Sequence, residues 1–282
     1  MPRDVHPISS GRLFTGAITV RWLAAIAWGI AGDAGAAEVL RVVPGGPAGP
    51  CTVDQWRADW PGCRYEDGVS EGRLSIVRDG ATAAYRVDHA VGGIGPEQGG
   101  VGWRSPLAGA ESVELGYTVR FSAGFDWVKG GKLPGLCGGP ESVTGGRPAN
   151  GTNGFSVRPM WRADGRGEAY VYHMHQPGRY GESFPFPDDV RFPTDVPVRL
   201  RIRVTLNKPG QRDGTLDLWV GLPGADERHV VTRSDVEWRS RPDILVDGLL
   251  FETFHGGGDR SWAPGRPCST VFRDIVATTP DR

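Results

Sequence analysis

The stretch Val113-Glu-Leu-Gly-Tyr-Thr-Val-Arg-Phe121 decides the fold class of this chain. Every second side chain in it is apolar, and these side chains share one face of an extended strand: Val113, Leu115, Tyr117, Val119 and Phe121. A period of two residues is typical of a β-strand that has one face against a core. The stretch therefore predicts a sheet with a buried inner face.

The same alternation recurs along the chain. In 199–206, aliphatic side chains share one face, while Arg199, Arg201 and Arg203 occupy the other. The pair Asp213-Gly214 then predicts a hairpin turn. Further strand candidates are 73–78, 83–88, 154–162, 168–175, 216–220, 229–233, 244–254 and 270–277. Because no segment after residue 37 has a helical stripe, the pattern predicts an all-β fold, a jelly-roll β-sandwich of two antiparallel sheets.

The N-terminal residues indicate export. Arg12 precedes an apolar stretch at 17–30, and small residues follow at 34–37, an order typical of a secretory signal peptide. The apolar stretch is shorter than the about 20 residues of a membrane span. We therefore expect a signal peptide at residues 1–37, and a single secreted domain, extracellular or periplasmic, at residues 38–282.

Charge excludes one class of partner. Without residues 1–37, the chain has 29 basic and 31 acidic residues. Proteins that bind nucleic acid usually carry a basic excess, so we expect no nucleic-acid partner. We also expect no membrane partner and a monomeric protein. An anionic ligand would need cations gathered at one place.

Four cysteines in an exported chain allow three disulfide pairings. We favour Cys51 with Cys63, because this bridge closes a short loop, and Cys137 with Cys268 then follows by elimination. A bridge of this kind stabilises a protein by about 2–4 kcal/mol.

Two regions carry residues that are suited to chemistry. Lys132 lies between a glycine pair and a Pro-Gly turn, and such a loop can hold a lysine rigidly at a surface. Ser156 and Arg158 share one face of a strand, and Tyr170 and Tyr172 share one face of the next. If the two strands form a hairpin, these groups meet in one patch. On these residues alone, a solvated lysine and half-buried packing tyrosines remain open as alternatives.

Four segments together resemble polysaccharide lyase family 14, which includes alginate lyases of algal viruses and marine molluscs. They are Lys-Gly-Gly-Lys-Leu-Pro-Gly-Leu (129–136), Phe-Ser-Val-Arg-Pro-Met-Trp-Arg (155–162), Gly-Glu-Ala-Tyr-Val-Tyr (167–172) and Phe-Glu-Thr-Phe-His-Gly-Gly-Gly-Asp-Arg-Ser-Trp-Ala-Pro (251–264). The similarity spans residues 75–277. The sequence departs from the family pattern at Cys137 and at Asp88-His89. These departures concern the choice of substrate more than the type of reaction.

The resemblance implies a β-jelly roll that cleaves an acidic polysaccharide by β-elimination. We expect no cofactor, because the cations that the reaction needs are already in the chain. It implies catalytic roles for Lys132, Arg158, Tyr170 and Tyr172. Arg158 can bind a carboxylate in a bidentate fork, and Lys132 supplies a compact charge. Of the two tyrosines we favour Tyr172 as the group that takes the proton, with Tyr170 in support.

Substrate binding is expected from Ser156, Trp161 and Arg162 in the second motif. The substrate is a 4-linked polyuronate, either alginate, including polymannuronate, or β-1,4-glucuronan. Trp127 and Trp262 are candidates for sugar subsites, with core packing as the alternative. The outward arginines of 199–206 would extend a cationic floor or form an ordinary solvated strand face.

Two other functions remain open at this point. A jelly roll that binds carbohydrate without catalysis needs only aromatic and arginine side chains. A glycoside hydrolase needs two carboxylates about 5–10 Å apart, and the motifs contain no closely spaced acidic pair. We expect His173, His175 and His255 to be structural, and we expect no metal site.

Overall fold

The structure is a computed structural model that describes residues 36–63, 65–141 and 143–280. The predicted signal peptide lies outside these residues except for its last two positions. Within them the chain forms sixteen strands and two short α-helices, α1 (Val53–Asp59) and α2 (Gly95–Gly99). The strands are β1 (Ala37–Val42), β2 (Gly49–Pro50), β3 (Leu74–Asp79), β4 (Thr82–His89), β5 (Val101–Ala110), β6 (Ser112–Phe121), β7 (Gly130–Lys132), β8 (Gly135–Gly138), β9 (Phe155–Arg162), β10 (Gly167–Tyr172), β11 (Glu182–Pro185), β12 (Pro197–Thr205), β13 (Gly214–Gly221), β14 (Arg228–Val236), β15 (Val246–His255) and β16 (Cys268–Thr279).

The strands form two antiparallel sheets, so the predicted fold class is confirmed. One sheet has nine strands in the order β14-β13-β12-β6-β16-β4-β3-β2, and β1 also pairs with β16. The other has seven strands in the order β11-β10-β9-β7-β15-β5. Strand β8 follows β7 in the same position, between β9 and β15.

The core between the sheets comes from the alternation seen in the sequence. The apolar face of β6 is fully buried, and Leu200, Ile202 and Val204 of β12 are buried beside it. The seven-stranded sheet contributes Val157 and Phe251 to the same cluster. Burial of such side chains contributes about 1.5–3 kcal/mol each. The opposite face of the seven-stranded sheet is therefore available for a site.

The sequence did not predict strands β5, β7 and β8, because their glycine and proline residues are typical of turns. Strand β5 contains Pro106, and it is tolerated because β5 lies at the edge of its sheet. Strand β7 is short, and its Gly131 is needed for close packing. A Cβ there would lie 2.1 Å from the Trp161 ring and 2.3 Å from the Phe254 carbonyl oxygen. Lys132 thus lies on a paired strand rather than in a surface loop.

Both predicted disulfides are wrong, because all four cysteines are free in the structure. Cys137 lies on β8 of the seven-stranded sheet, whereas Cys268 begins β16 of the other sheet. Between Cys51 and Cys63 the chain forms α1. Burial raises the pKa of Cys51, Cys63 and Cys268 to about 11 and that of Cys137 to about 12. The thiols therefore behave as small buried groups.

The predicted turn at Asp213-Gly214 is also wrong. Strands β12 and β13 are joined by residues 206–213, and Asp213 Oδ1 accepts a hydrogen bond from the Lys208 backbone N–H at 2.8 Å. In the part of the chain that the structure describes, no helix is long and apolar enough to cross a membrane.

Candidate active site

A cleft of about 680 Å³ lies on the outer face of the seven-stranded sheet, over β7, β9 and β10. Strand register brings three of the four predicted catalytic residues together. Tyr170 on β10 pairs with Arg158 on β9, and Tyr172 pairs with Ser156, the second residue of β9. The lining residues are Lys132, Thr144, Gly145, Arg158, Arg162, Tyr170, Tyr172, Tyr180, Gly181, Phe254, Gly256, Gly257, Gly258 and Trp262. All four predicted catalytic residues therefore meet in one cleft.

Lys132 is a half-buried amine at the centre of this cleft. Strand pairing places it opposite Met160, and its Nζ lies 2.8 Å from Met160 Sδ. The same Nζ lies 4.2 Å from the centroid of the Tyr170 ring. Burial, followed by the charges of Arg158 and Arg162, holds the pKa of Lys132 well below its usual value of 10.5. A lysine in this state supplies a neutral amine more readily than a solvated one.

The two tyrosines differ in accessibility. Tyr172 is buried, with 1% of its surface exposed, and its hydroxyl accepts a hydrogen bond from the Gly146 N–H at 2.9 Å. Tyr170 is only half-buried, and its hydroxyl accepts from the Gly181 N–H at 3.1 Å. Burial, and then the adjacent Tyr172, raise the pKa of Tyr170 above its usual value of 10. Tyr170 is therefore a protonated phenol at neutral pH.

Arg158 is held from below by a carboxylate that the sequence analysis did not identify. Its Nη1 donates to Glu252 Oε2, and its Nη2 donates to Thr144 Oγ1 at 2.8 Å. The side chains of Arg158 and Glu252 are 1% and 9% exposed. In the sequence, Glu252 is the one glutamate of the mostly apolar strand β15. Because a buried charge requires a partner, this position could have indicated an ion pair.

Arg162 forms the wall of the cleft that faces Trp262. Its Nη2 donates to Glu168 Oε1 at 2.6 Å, and Glu168 also accepts from Ser183 Oγ. The guanidinium carbon of Arg162 lies 5.6 Å from the Trp262 ring centroid, and Lys129 Nζ lies 5.9 Å from it. Trp262 thus lines the cleft between two cations.

Two predicted substrate-binding residues do not reach the cleft. Trp161 is fully buried on the core face of β9, where its ring lies 5.3 Å from that of Phe125. Ser156 is on the cleft side of β9 but is buried, and its Oγ donates to the Val143 carbonyl at 2.6 Å. Neither side chain is exposed to the cleft in this structure. Ser156 instead fixes the segment that brings Thr144 to Arg158.

The arginines of 199–206 do not extend the cleft, because β12 belongs to the nine-stranded sheet. Arg201 and Arg203 both form ion pairs with Glu114 on that sheet. The ordinary strand-face alternative is correct for them. Trp127 is half-buried and packs against the core.

The sequence did not predict Thr144, Gly145, Tyr180 and Gly181 as lining residues, because they come from connecting segments. Tyr180 and Gly181 precede β11, and Gly256, Gly257 and Gly258 follow β15. The histidines have structural partners, since His173 contacts Glu182 and His255 contacts the Asp126 carbonyl.

The comparisons with known proteins agree with this geometry. The family model Polysaccharide lyase 14 matches residues 78–275. The marine PL-14 alginate lyase from Aplysia kurodai is 25% identical, with a TM-score of 0.76 over 86% of this chain and 99% of that chain. The alginate lyase vAL-1 from Chlorella virus is 20% identical, with a TM-score of 0.61 over 74% of this chain and 89% of that one.

An endo-β-1,4-glucuronan lyase from Trichoderma reesei shares the fold at 14% identity, with a TM-score of 0.50 over 78% of this chain and 92% of that chain. No curated protein sequence matches the chain. The family model nevertheless covers more than half of the chain, and the family that the motifs predicted is confirmed. The protein is a polysaccharide lyase and belongs to polysaccharide lyase family 14.

Proposed function

We propose that this enzyme cleaves a 4-linked polyuronate, with alginate as the first candidate, by β-elimination over Lys132 and Tyr170. The observation that carries the proposal is the position of the Lys132 amine. It lies 4.2 Å from the Tyr170 ring centroid, in a cleft that also contains two guanidinium groups. This arrangement supplies a base, an acid and positive charge within one site.

Lys132 is the proposed base. A β-elimination removes the proton at C5 of a uronate, the freed electron pair forms the C4–C5 double bond, and the bond from C4 to the bridging oxygen breaks. Burial and the charges of Arg158 and Arg162 lower the pKa of Lys132, which makes its neutral amine available to accept that proton. The ordinary pKa of a lysine would leave it protonated at neutral pH.

Tyr170 is the proposed acid. Its phenol carries a raised pKa and so retains its proton until the departing oxygen takes it. The Lys132 ammonium formed in the first step lies against the same ring, where it favours the transient phenolate. A proton passed from Lys132 to Tyr170, directly or through solvent, returns both groups to their starting states. This assignment moves the central role from Tyr172 to the more accessible tyrosine.

The uronate carboxylate is proposed to lie between Arg162 and Arg158. The C5 proton becomes more acidic when fixed positive charge stabilises the developing enolate, and such preorganised charge is usually the largest catalytic effect. Arg162 is one-quarter exposed and can donate to the substrate, while Arg158 supplies charge from beneath the cleft.

Alginate is placed first because the 25% identical protein from Aplysia kurodai is an alginate lyase. The signal-peptide pattern supports action outside the cytoplasm, in the medium or the periplasm. We also propose that the enzyme acts as a single-domain monomer. A glycoside hydrolase is disfavoured, because Glu168 and Glu252 are ion-paired with arginines and neither lines the cleft among the described residues.

The test uses the ultraviolet absorbance of the unsaturated uronate end. Purified enzyme is incubated separately with polymannuronate, polyguluronate and β-1,4-glucuronan, and Lys132→Met serves as the inactive control. We expect absorbance to rise on an alginate block and not with the control. Absence of unsaturated product from every polymer, or release of saturated reducing ends instead, would overturn the proposal.

A further inference from the structure

A second cleft, of about 450 Å³, opens on the same face of the seven-stranded sheet. We propose that this cleft, formed around Tyr65, Arg104 and Asp247, is a distal sugar-binding subsite for the polyuronate chain whose cleavage occurs at Lys132 and Tyr170. The inference rests on the proposed function for its ligand class. It adds a binding site several sugar rings away from the reacting bond.

Strand register places the two clefts on one line across the sheet. Tyr170 on β10 pairs with Arg158 on β9, and a Cβ on Gly135 of β8 would lie 2.9 Å from the Arg158 Cα. Gly135 pairs with Leu250 on β15, which in turn pairs with Arg104 on β5. At about 4.8 Å between neighbouring strands, Arg104 lies roughly 14 Å from Arg158.

The two strand residues between the clefts are buried. Gly135 has no side chain, and Leu250 is buried with 1% of its surface exposed. Gly248 also passes directly beneath Arg104, because a Cβ there would lie 2.6 Å from Arg104 Nε. None of these three positions therefore places a charged side chain between the two clefts.

The polar groups of the second cleft are held in fixed positions. Arg104 Nη2 donates to Asp247 Oδ1 at 2.7 Å and to the Gly139 carbonyl at 3.0 Å. The Gly139 N–H donates to the same Asp247 oxygen at 3.1 Å. In the described part of the chain, these contacts of Arg104 use only Nη2, which leaves Nε and Nη1 to donate to a ligand. A few fixed polar groups in a concave site are typical of ligand pockets.

The aromatic component is Tyr65, which is 41% exposed and lines the cleft beside Pro106. An exposed tyrosine offers a flat apolar face to the C–H groups of a sugar ring and a hydroxyl at its end. Because the Asp247 carboxylate itself lines this cleft and is 38% exposed, the cleft is suited to ring faces and hydroxyl groups more than to a carboxylate. The proposed contact is therefore with the sugar ring itself.

The test compares a long and a short substrate. A trisaccharide of mannuronate that is cleaved over Lys132 has at most two rings on the distal side, whereas polymannuronate reaches Tyr65. For Tyr65→Ala we expect KM on the polymer to rise about three- to tenfold, the loss of one aromatic contact. We expect unchanged kinetics on the trisaccharide and an unchanged kcat on the polymer.

The matched control is Trp219→Ala. Trp219 also lies beside an arginine, with Arg201 at 4.1 Å from its ring centroid, but it belongs to β13 of the other sheet. It should leave both substrates unaffected. Equal KM values for wild type and Tyr65→Ala on the polymer, or equal changes on both substrates, would overturn the subsite while leaving the proposed function intact. Tyr65→Leu, which keeps apolar volume but removes the ring, replaces Tyr65→Ala if that variant does not fold.

If the wild-type enzyme releases no unsaturated product from any polyuronate, the proposed function fails by itself. The subsite is then tested by calorimetric titration of wild type and Tyr65→Ala with a mannuronate oligosaccharide long enough to span both clefts. Weaker binding by the variant supports the subsite, and equal binding or no binding by either protein refutes it.

Discussion

Glu252 and Arg158 form a buried ion pair beneath the cleft, with the carboxylate on β15 and the guanidinium on β9. The pair joins two strands that are separated by β7 and β8 and holds the Arg158 guanidinium below the cleft. Arg162, whose side chain is one-quarter exposed, is consequently the more accessible guanidinium of the site.

The ion pair predicts a large loss of stability for Glu252→Ala. Removing one partner leaves the buried Arg158 charge uncompensated, which typically costs about 3–5 kcal/mol. Urea denaturation measures the change in unfolding free energy. Glu38→Ala is the control, because the Arg41–Glu38 pair is exposed and should contribute less than about 1 kcal/mol. Similar losses for the two variants would contradict a buried pair.

The lowered pKa of Lys132 predicts that this residue reduces the unfolding free energy by an amount that depends on pH. Its pKa is lower in the folded protein than in the unfolded chain, so the folded state binds fewer protons between the two values. The reduction in unfolding free energy is therefore largest below the lowered pKa, and it disappears as the pH rises toward 10.5.

Lys132→Met should accordingly have a higher unfolding free energy than wild type near neutral pH, and the difference should shrink in alkaline buffer. Urea denaturation at both pH values measures it. Lys208→Met, at an exposed position, should show no such trend. A destabilised Lys132→Met protein near neutral pH would contradict the lowered pKa.

The position of Arg162 beside Lys132 predicts that replacing this arginine shifts the pH profile of kcat. If Lys132 is the base, the acid limb of kcat against pH reports its lowered pKa. Arg162→Gln removes one of the charges that lowers this pKa and frees Glu168, which raises it, so the acid limb should move to higher pH. The profile of Arg166→Gln, an exposed arginine outside the cleft lining, should match wild type. An unchanged limb in Arg162→Gln would remove Lys132 from the role of base.

The sequence could predict the faces of strands better than their partners. Alternation correctly placed Arg158 with Ser156 and Tyr170 with Tyr172, and the pairing of β9 with β10 brings the two pairs together. The same alternation would have placed Trp161 in the core, where it lies. Lys132 looked like a loop residue because the strand around it depends on Gly131 packing against a distant ring. Glu252 could be recognised as an unusual charge, but its partner depends on strand pairing that local sequence does not encode.

The free cysteines predict a protein that is indifferent to reducing agents. Wild-type unfolding free energy should be the same with and without a thiol reductant, and a thiol reagent should label four residues per unfolded chain. In the folded protein, burial raises the pKa of each thiol to about 11 or 12, so labelling should be slow. Fewer than four reactive thiols after unfolding without reductant would reinstate a disulfide.

The two tyrosines predict different kinetic defects. Tyr170→Phe removes the proposed acid, so kcat should fall about 10²–10⁴-fold while KM changes little. Tyr172→Phe removes the acceptor for the Gly146 N–H, so it should lower the unfolding free energy by about 1 kcal/mol and affect kcat less than tenfold. Steady-state kinetics on polymannuronate and urea denaturation of both variants separate these effects. If Tyr172→Phe proved the more damaging to kcat, the acid would have to be the buried phenol, and the cleft would need to open before its hydroxyl could reach the departing oxygen.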